Sequence, residues 1–418
     1  MSNVNLRITA SRSILPATSE PQVLYALVEL TAQSSAAKMP RLPLNLCLVI
    51  DRSSSMRGER LQQVKQAAMQ ILDLLGDNES FALVTFNDRA EVVVPAQLAR
   101  ARAEIKRQIG AIDAAGGTEM ATGLALGLQE LQRAMMPRAV HRLLLLTDGR
   151  TYGDESRCVE IARRAQSRGI GITALGIGSE WNEDLLETIA ARENSRTHYI
   201  TSAAEITKIF TAEVERMHSI FAQDVQARLA LQPQSLVRSL DRVRPFIGPL
   251  PVIEESDFVW TAALGDWPEQ DVQALLLEIV VPPLPQGRHT IMRLSIRYRT
   301  PGSDSVIQSQ EQTLSVVLRD PDEVGDDVDP TVKHWLERLV AYRLQASAWQ
   351  AAEEGKLEEA TRRLQMAGTR LFEAGQVELA RAVQEEATRL LRSGQASAEG
   401  RKRIKYGTRG LIGREEQS

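Results

Sequence analysis

The chain has 418 residues, more than one hydrophobic core usually serves, so its length predicts two or three domains. Apolar residues make up 43% and charged residues 25%, a balance typical of folded globular proteins that excludes a disordered or collagen-like chain. Lysine and arginine number 50 against 54 aspartates and glutamates, and the resulting net charge of -4 argues against nucleic acid as a partner.

Signals for export and membrane insertion are weak. Residues 1–15 are polar and lack the apolar core of a secretory signal. No apolar run approaches the roughly 18 residues needed to cross a bilayer. The two cysteines, Cys47 and Cys158, are far apart and lack metal-ligand spacing, which favours a reducing compartment over a disulfide framework. We therefore expect a cytoplasmic protein without a membrane span.

The first forty residues contain two strand-like segments, residues 6–10 and 23–31. The α/β pattern that follows begins only near residue 44, so these segments have no place in its parallel sheet. We expect residues 1–40 to pair with a later β-region and to complete a split β-sandwich.

Residues 41–220 alternate apolar runs with amphipathic stretches, which predicts a doubly wound, Rossmann-like α/β domain. Apolar residues at helical spacing between 61 and 75 indicate the first helix. The predicted strands are residues 44–50, 81–86, 91–94, 142–147, 171–177 and 197–200.

The period changes from about 3.6 to 2 after Phe221, where Val225, Ala227, Leu229 and Leu231 alternate with polar residues. Proline- and glycine-containing turns separate the later runs, as in a sandwich of short strands. Residues 221–320 are therefore predicted to form the main part of the β-sandwich. The α/β domain would then be an insertion in it.

Residues 328–395 are predicted to form three antiparallel helices that end near Gly355, Gly375 and Gly394. One apolar stripe contains several aromatic residues at helical spacing, and we interpret it as core rather than as a ligand site. Its members are Trp335, Leu339, Tyr342, Ala346 and Trp349.

Residues 396–418 are predicted to form a basic tail, with six basic residues in the exposed segment 401–414. One interpretation is a solvated terminus. The other interpretation is a short motif that docks on a partner, because Ile404 and Tyr406 interleave with the charges. Phosphorylation of Thr408 would regulate this docking.

Oxygen-bearing side chains follow several predicted strands of the α/β domain. The first strand runs into Asp51-Arg-Ser53-Ser-Ser55, Thr118 follows two glycines and precedes a helix, and Asp148 follows the strand 142–147. Open α/β sheets bind ligands at the carboxyl edge. Each motif alone is also typical of a helix cap or a turn. Their joint occurrence predicts one metal site, made only of hard oxygen ligands, for magnesium or alternatively calcium or manganese.

These residues resemble the von Willebrand factor type A domains, whose metal-ion-dependent adhesion site reads Asp-x-Ser-x-Ser, Thr and Asp. The match covers about residues 41–215 and includes all five positions. The resemblance implies that an acidic residue of a partner protein completes the coordination. It further implies two direct ligands, Ser53 and Ser55, and three that act directly or through water, Asp51, Thr118 and Asp148.

The flanking layout is similar to bacterial relatives of the inter-alpha-trypsin-inhibitor heavy chain and of so-called calcium-activated chloride channel proteins. A β-region accompanies the type A domain there too, and residues 263–267 before a strand look similar. The channel function is not carried over, because no membrane span is predicted. Glu119 stands where many type A domains have a neutral residue, so it is expected to alter the local charge or to supply an internal ligand.

The site therefore predicts a non-enzymatic protein that binds an acidic residue of a partner through its metal. One alternative is a metal-dependent hydrolase or phosphotransferase, although the loops offer no evident general base and no phosphate loop. His141 is interpreted as structural. The other alternative is a docking subunit of an ATPase machine such as a chelatase or chaperone. An exported adhesin would instead show surface display.

Overall fold

A computed structural model of the chain describes residues 4–32, 42–151, 153–190, 197–269, 271–301, 303 and 305–410. Its strands, in chain order, are β1 (Val4–Ala10), β2 (Ile14–Pro16), β3 (Gln22–Ala32), β4 (Leu44–Asp51), β5 (Ser80–Phe86), β6 (Ala90–Leu98), β7 (Val140–Thr147), β8 (Ile170–Ile177), β9 (Thr197–Ile200), β10 (Ile220–Leu231), β11 (Leu236–Arg244), β12 (Gly248–Pro249), β13 (Ile253–Ser256), β14 (Val259–Pro268), β15 (Gln273–Val281), β16 (Gly287–Arg299), β17 (Val306–Gln308) and β18 (Gln312–Arg319). Its helices are α1 (Glu59–Leu74), α2 (Arg102–Gly110), α3 (Met120–Arg133), α4 (Glu155–Gln166), α5 (Glu183–Ala190), α6 (Ile206–His218), α7 (Pro330–Glu353), α8 (Leu357–Glu373), α9 (Val377–Ser393) and α10 (Ala398–Arg409).

The strands β4 to β9 form one sheet in the order β6-β5-β4-β7-β8-β9. All neighbours pair in parallel except the edge strand β6, which is antiparallel to β5. Each of the six strands overlaps one of the six predicted between residues 41 and 220. The prediction of a doubly wound α/β domain is confirmed.

Strand β4 shows how both faces of this sheet are covered. Leu46, Leu48 and Ile50 lie in a core that includes side chains of α1, α2 and α6. Cys47 and Val49 lie in a second core with α3, α4 and α5. Because successive side chains of a strand point to opposite faces, a strand covered on both sides needs an unbroken apolar run. That run continues to Asp51, where the chain reaches the carboxyl edge of the sheet.

Two further sheets are built from the chain before and after the α/β domain. One has the order β1-β3-β15-β11-β12, and the other has the order β13-β14-β10-β16-β18-β2, with β17 added to β16. Strand β3 is antiparallel to β15, with Gln22 opposite Val281 at one end of the pairing and Leu30 opposite Gln273 at the other. Strand β2 pairs with β18. Side chains from both sheets share one hydrophobic core. Strands β2 and β3 therefore pair with strands after residue 220, as expected for the early segments, whereas β1 pairs with β3 at the edge of its sheet.

The C-terminal helices pack in sequence, α7 against α8 and α8 against α9. Asp329 caps α7, because its carboxylate accepts hydrogen bonds from the backbone N–H groups of Thr331 and Val332. In the aromatic stripe of α7, Leu339 and Trp349 are buried as predicted, but Ala346 is exposed. Nowhere in the part of the chain that is described is a helix both long and apolar enough to pass through a membrane.

The expectation of an exposed basic tail is wrong for residues 401–410. Helix α10 begins after Ser397, whose hydroxyl oxygen accepts a hydrogen bond from Gly400 N. Side chains along α10 are buried, among them Lys402 and Tyr406. Thr408 is only 2% exposed and donates its hydroxyl proton to Lys405 O, so the prediction that it is accessible to a kinase is also wrong. Residues 411–414 lie outside the described residues.

Helix α10 is buried because its charges have partners on the α/β domain. Lys405 Nζ lies 2.6 Å from Asp184 Oδ1 and 3.2 Å from Glu187 Oε2, both on α5. Tyr406 belongs to the hydrophobic core on that side of the sheet and lies 5.7 Å from the ring of Trp181. The basic run is therefore a docking surface within the molecule, and α10 is a fourth helix beyond the three predicted.

Candidate metal centre

Asp51 ends β4 and is fully buried. Its Oδ1 accepts a hydrogen bond from Ser53 N at 2.8 Å, and its Oδ2 accepts one from the Thr147 hydroxyl at 2.6 Å. Thr147 is the last residue of β7, the strand beside β4. The carboxylate is therefore held between two neighbouring strand ends at the carboxyl edge of the sheet.

The two serines of the same loop connect to Asp148. Ser55 Oγ donates to Asp148 Oδ1 at 2.7 Å, and Ser53 Oγ lies 3.0 Å from Ser55 Oγ. A single turn of 3-10 helix at Ser54–Met56 brings both hydroxyls to this side before α1 begins. Four of the five predicted ligands thus lie in one cluster of hydrogen-bonded oxygens.

Thr118 lies in the loop just before α3. A Cβ atom added at Gly149 would lie 3.3 Å from Thr118 Oγ1, so this hydroxyl faces the residue next to Asp148. The Thr118 carbonyl also accepts a hydrogen bond from the Thr151 hydroxyl at 3.1 Å. Glu119, expected to alter the charge or to act as an internal ligand, lies instead with Oε1 3.5 Å from Arg157 Nη1.

The electrostatics of the cluster disfavour two negative charges without a cation. Burial raises the pKa of Asp51 to about 6; the hydrogen bonds from Ser53 and Thr147 oppose this, and the charge of Asp148 adds to it. Arg60, on the first turn of α1, supplies a positive charge, because its Nη1 lies 2.6 Å from Asp148 Oδ2. A divalent cation in the cluster would stabilise the ionised form of Asp51.

The donor set fits a hard cation. Two carboxylates and three hydroxyls are all oxygen ligands of the kind that magnesium, manganese and calcium prefer. Among the described residues, no group of three or more His, Cys, Asp or Glu side chains could hold a metal ion. The candidate centre therefore depends on the hydroxyls of Ser53, Ser55 and Thr118 as much as on its two carboxylates.

His141 lies at the opposite edge of the sheet, near the start of β7, whereas Asp148 follows the end of this strand. Its Nδ1 is 3.0 Å from Asn45 Nδ2, and burial lowers its pKa. It is therefore placed to pack and hydrogen-bond beside Asn45, away from the oxygen cluster.

Three supporting residues were missed from the sequence. Arg60 contacts Asp148, and Thr147 holds Asp51. Asp154 accepts a hydrogen bond from Ala121 N at 2.7 Å and so fixes the start of α3 just after Thr118. Thr147 could have been noticed as the strand residue before Asp148. The pairings of Arg60 and Asp154 have no local signal, since they join residues of different loops and helices.

Comparison with known families supports the domain assignment. Residues 45–212 match the von Willebrand factor type A domain family, which confirms the resemblance of the α/β domain. Residues 330–414 match the family described as Sll0103-like, C-terminal alpha-helical domain. This second match covers α7 to α10, the helical region that follows the two further sheets.

Individual relatives extend the match over most of the chain. The uncharacterized protein sll0103 of Synechocystis is 32% identical over 365 residues, which are 86% of each chain. Inter-alpha-trypsin inhibitor heavy chain H3 of Rattus norvegicus is 31% identical over 167 residues, 36% of this chain and 18% of that protein. A solved von Willebrand factor type A structure from Catenulispora acidiphila is 19% identical and superposes with a TM-score of 0.81. The match covers 98% of this chain and 97% of that chain, and it shows that the two proteins share a fold. The chain therefore belongs to the Sll0103-like family and carries a von Willebrand factor type A domain.

Proposed function

We propose that this chain is a non-enzymatic binding protein whose type A domain holds one divalent cation, magnesium first, and coordinates an acidic residue of a partner protein. The observation that carries the proposal is the single cluster formed by Asp51, Ser53, Ser55 and Asp148, with Thr118 facing it. Two carboxylates neutralise a divalent ion, but together with three neutral hydroxyls they do not fill an octahedron, so a partner carboxylate is a suitable further ligand.

The same cluster supports binding rather than catalysis. Its polar side chains are hydroxyls and carboxylates held by one another, and Arg60 is engaged with Asp148. A metal-dependent hydrolase also needs a general base within reach of a bound water. His141, which could serve as one, lies at the other edge of the sheet.

Two further points belong to the proposal. The two further sheets, which share one core, are best described as a β-sandwich into which the type A domain is inserted. A reducing compartment such as the cytoplasm suits the buried free thiols of Cys47 and Cys158.

Calorimetric titration of the full chain with Mg²⁺ and Ca²⁺ tests the metal site. We expect Asp51→Ala and Asp148→Ala to abolish binding while the fold is retained, because each removes a charged ligand. Asp113→Ala is the matched control, since Asp113 is exposed and lies outside the cluster. Unchanged titrations in both cluster variants would contradict the proposal.

The same variants test the partner. A pull-down from native lysate should recover proteins that are lost on adding a chelator and lost again with Asp51→Ala, but are kept with Asp113→Ala. Recovered partners that respond to neither treatment would rule out recognition through the metal. Partners that prove to be ATPase subunits would favour the docking-subunit alternative within the same metal-dependent scheme.

A further inference from the structure

Arg60 contacts one of the two carboxylates of the proposed metal site. Its guanidinium Nη1 lies 2.6 Å from Asp148 Oδ2 and 3.5 Å from the carbonyl of Ser55. The Asp148 side chain is fully buried, whereas 44% of the Arg60 side chain is exposed. Both oxygens of Asp148 are thus engaged inside the protein, Oδ1 by Ser55 and Oδ2 by Arg60.

Arginine is a permanent cation in proteins, so this contact cannot be relieved by loss of a proton. A divalent ion bound to the same carboxylate would be close to the guanidinium, and two nearby cations repel. A hydrogen bond between a guanidinium and a carboxylate is also stronger than a neutral one. The ion must therefore displace Arg60, at a free-energy cost, before it can use Oδ2.

The surroundings of Arg60 allow such a displacement. The residue sits on the first turn of α1, directly after Gly58 and Glu59, and its side chain faces solvent along part of its length. Its release would leave the backbone of α1 and the core residues of that helix in place. A buried arginine, by contrast, would have to be pulled through packed side chains.

We propose that Arg60 is an internal counter-cation that competes with the divalent ion for Asp148 and thereby sets the metal affinity of the site. This proposal rests on the proposed function, because it assumes that the ion binds at the Asp51 loop. In the metal-free protein Arg60 neutralises Asp148, and in the metal-bound protein Arg60 is released toward solvent.

The test is Mg²⁺ titration of the full chain in wild type, Arg60→Gln, Arg60→Lys and Arg57→Gln. Arg57 is the matched control: it is exposed, lies three residues away, and makes no ion pair with any residue that the structure describes. Removal of the competitor should tighten Mg²⁺ binding in Arg60→Gln by about tenfold, the size expected for losing one charge-assisted hydrogen bond of about 1.4 kcal/mol. Arg60→Lys, which keeps a cation, and Arg57→Gln should both stay within about threefold of wild type.

The sign of the change separates competition from support. If Arg60 merely positions Asp148 for the metal, Arg60→Gln will weaken Mg²⁺ binding, and the proposal is overturned. Equal affinities of Arg60→Gln and Arg57→Gln would also overturn it, since the effect would then be one of general charge.

A second measurement keeps this result apart from the proposed function. Adding Asp51→Ala to Arg60→Gln should abolish the tighter binding. If Mg²⁺ binding survives Asp51→Ala in every background, the proposed site is wrong. Any tighter Mg²⁺ binding in Arg60→Gln would then arise elsewhere and would count against both proposals. If wild type shows no binding but Arg60→Gln does, and Asp51→Ala removes it, competition by Arg60 is supported. Absence of binding in all of these variants would overturn both.

Discussion

Asp51 is the residue whose environment most clearly reflects the chemistry of the site. It is buried at the end of β4, and its two oxygens accept hydrogen bonds from Ser53 N and the Thr147 hydroxyl. A buried carboxylate is costly unless it is hydrogen-bonded and near a positive charge. The protein alone supplies the hydrogen bonds to Asp51. The proposed metal ion would supply the positive charge.

The hydrogen bond from Thr147 can be tested by one substitution. Thr147→Val keeps the shape of the side chain and removes the donor 2.6 Å from Asp51 Oδ2. An unpaired buried oxygen costs about 1–3 kcal/mol, so the free energy of unfolding should fall by that amount, and Mg²⁺ binding should weaken. Thermal unfolding and metal titration measure the two effects.

Thr147→Ser is the matched variant, because it keeps the hydroxyl and loses only a methyl group, which is worth about 0.8 kcal/mol. It should retain metal binding close to wild type. A valine variant that binds Mg²⁺ as well as the serine variant would show that the hydroxyl does not position Asp51.

Among the secondary-structure elements, α10 has the most unexpected role. The Lys402 side chain is 1% exposed, and its Nζ donates to Ser179 O at 2.6 Å and lies 3.2 Å from Glu183 Oε2. Burial lowers the pKa of Lys402, and the charge of Glu183 opposes the shift. The loop that receives Lys402 also contains Glu180, whose carbonyl accepts a hydrogen bond from Arg150, two residues after Asp148. Helix α10 therefore contacts a loop that itself contacts the candidate metal loop.

The ion pair between Asp184 and Lys405 gives α10 docking a defined pH dependence. Burial alone would raise the pKa of Asp184, but the hydrogen bond and charge of Lys405, together with Arg401, lower it below its ordinary value. A carboxylate with a lowered pKa stabilises the fold above its unfolded value, about 3.9, and this contribution is lost as the pH falls through the folded pKa.

Asp184→Asn should therefore lower the thermal midpoint at neutral pH, and the gap to wild type should close below about pH 4. The side chain of Asp184 is 65% exposed, so the change should be small, about 0.2–1 kcal/mol. Calorimetry from pH 7 to pH 3.5 measures the gap, with Asp113→Asn as the exposed control. A gap that is constant over this range would show that the pair does not stabilise docking.

For the whole molecule, stability depends on strands that are distant in sequence. Strand β3 lies between β1 and β15 in its sheet, and Leu24 is fully buried in the core shared with the other sheet. The type A domain has its own two cores on either face of β4. Damage to β3 should therefore weaken the two further sheets more than the type A domain.

Leu24→Ala tests this expectation more gently than deletion of residues 1–35. Loss of a large buried side chain costs about 2–5 kcal/mol, so unfolding of the two further sheets should shift to lower temperature while Mg²⁺ binding is retained. Val23→Ala, one residue away on the same strand and 41% exposed, is the matched control. Equal losses of stability in the type A domain and in the sheets, after Leu24→Ala or the deletion, would contradict the separate cores.

The sequence by itself determined the type A fold and the five residues that are proposed to bind the metal. Both follow from local patterns: unbroken apolar runs make strands that are covered on two faces, and polar residues directly after such strands lie at one edge of the sheet. The strands of the type A domain, from Leu44–Asp51 to Thr197–Ile200, were predicted in this way, and Asp51 and Asp148 were placed at the edge by the same argument.

Only the tertiary structure decided which groups neutralise and hold these candidate residues. Arg60 and Asp148 are 88 residues apart, Thr147 and Asp51 are 96 apart, and Lys405 and Asp184 are 221 apart. The spacing of charged residues along the sequence does not identify their partners, so the basic run of α10 was predicted to be a solvated tail. Only the structure places it against the acidic residues of α5. Hydrophobic spacing is set by the geometry of one element, whereas the pairing of charges is set by how separate elements pack.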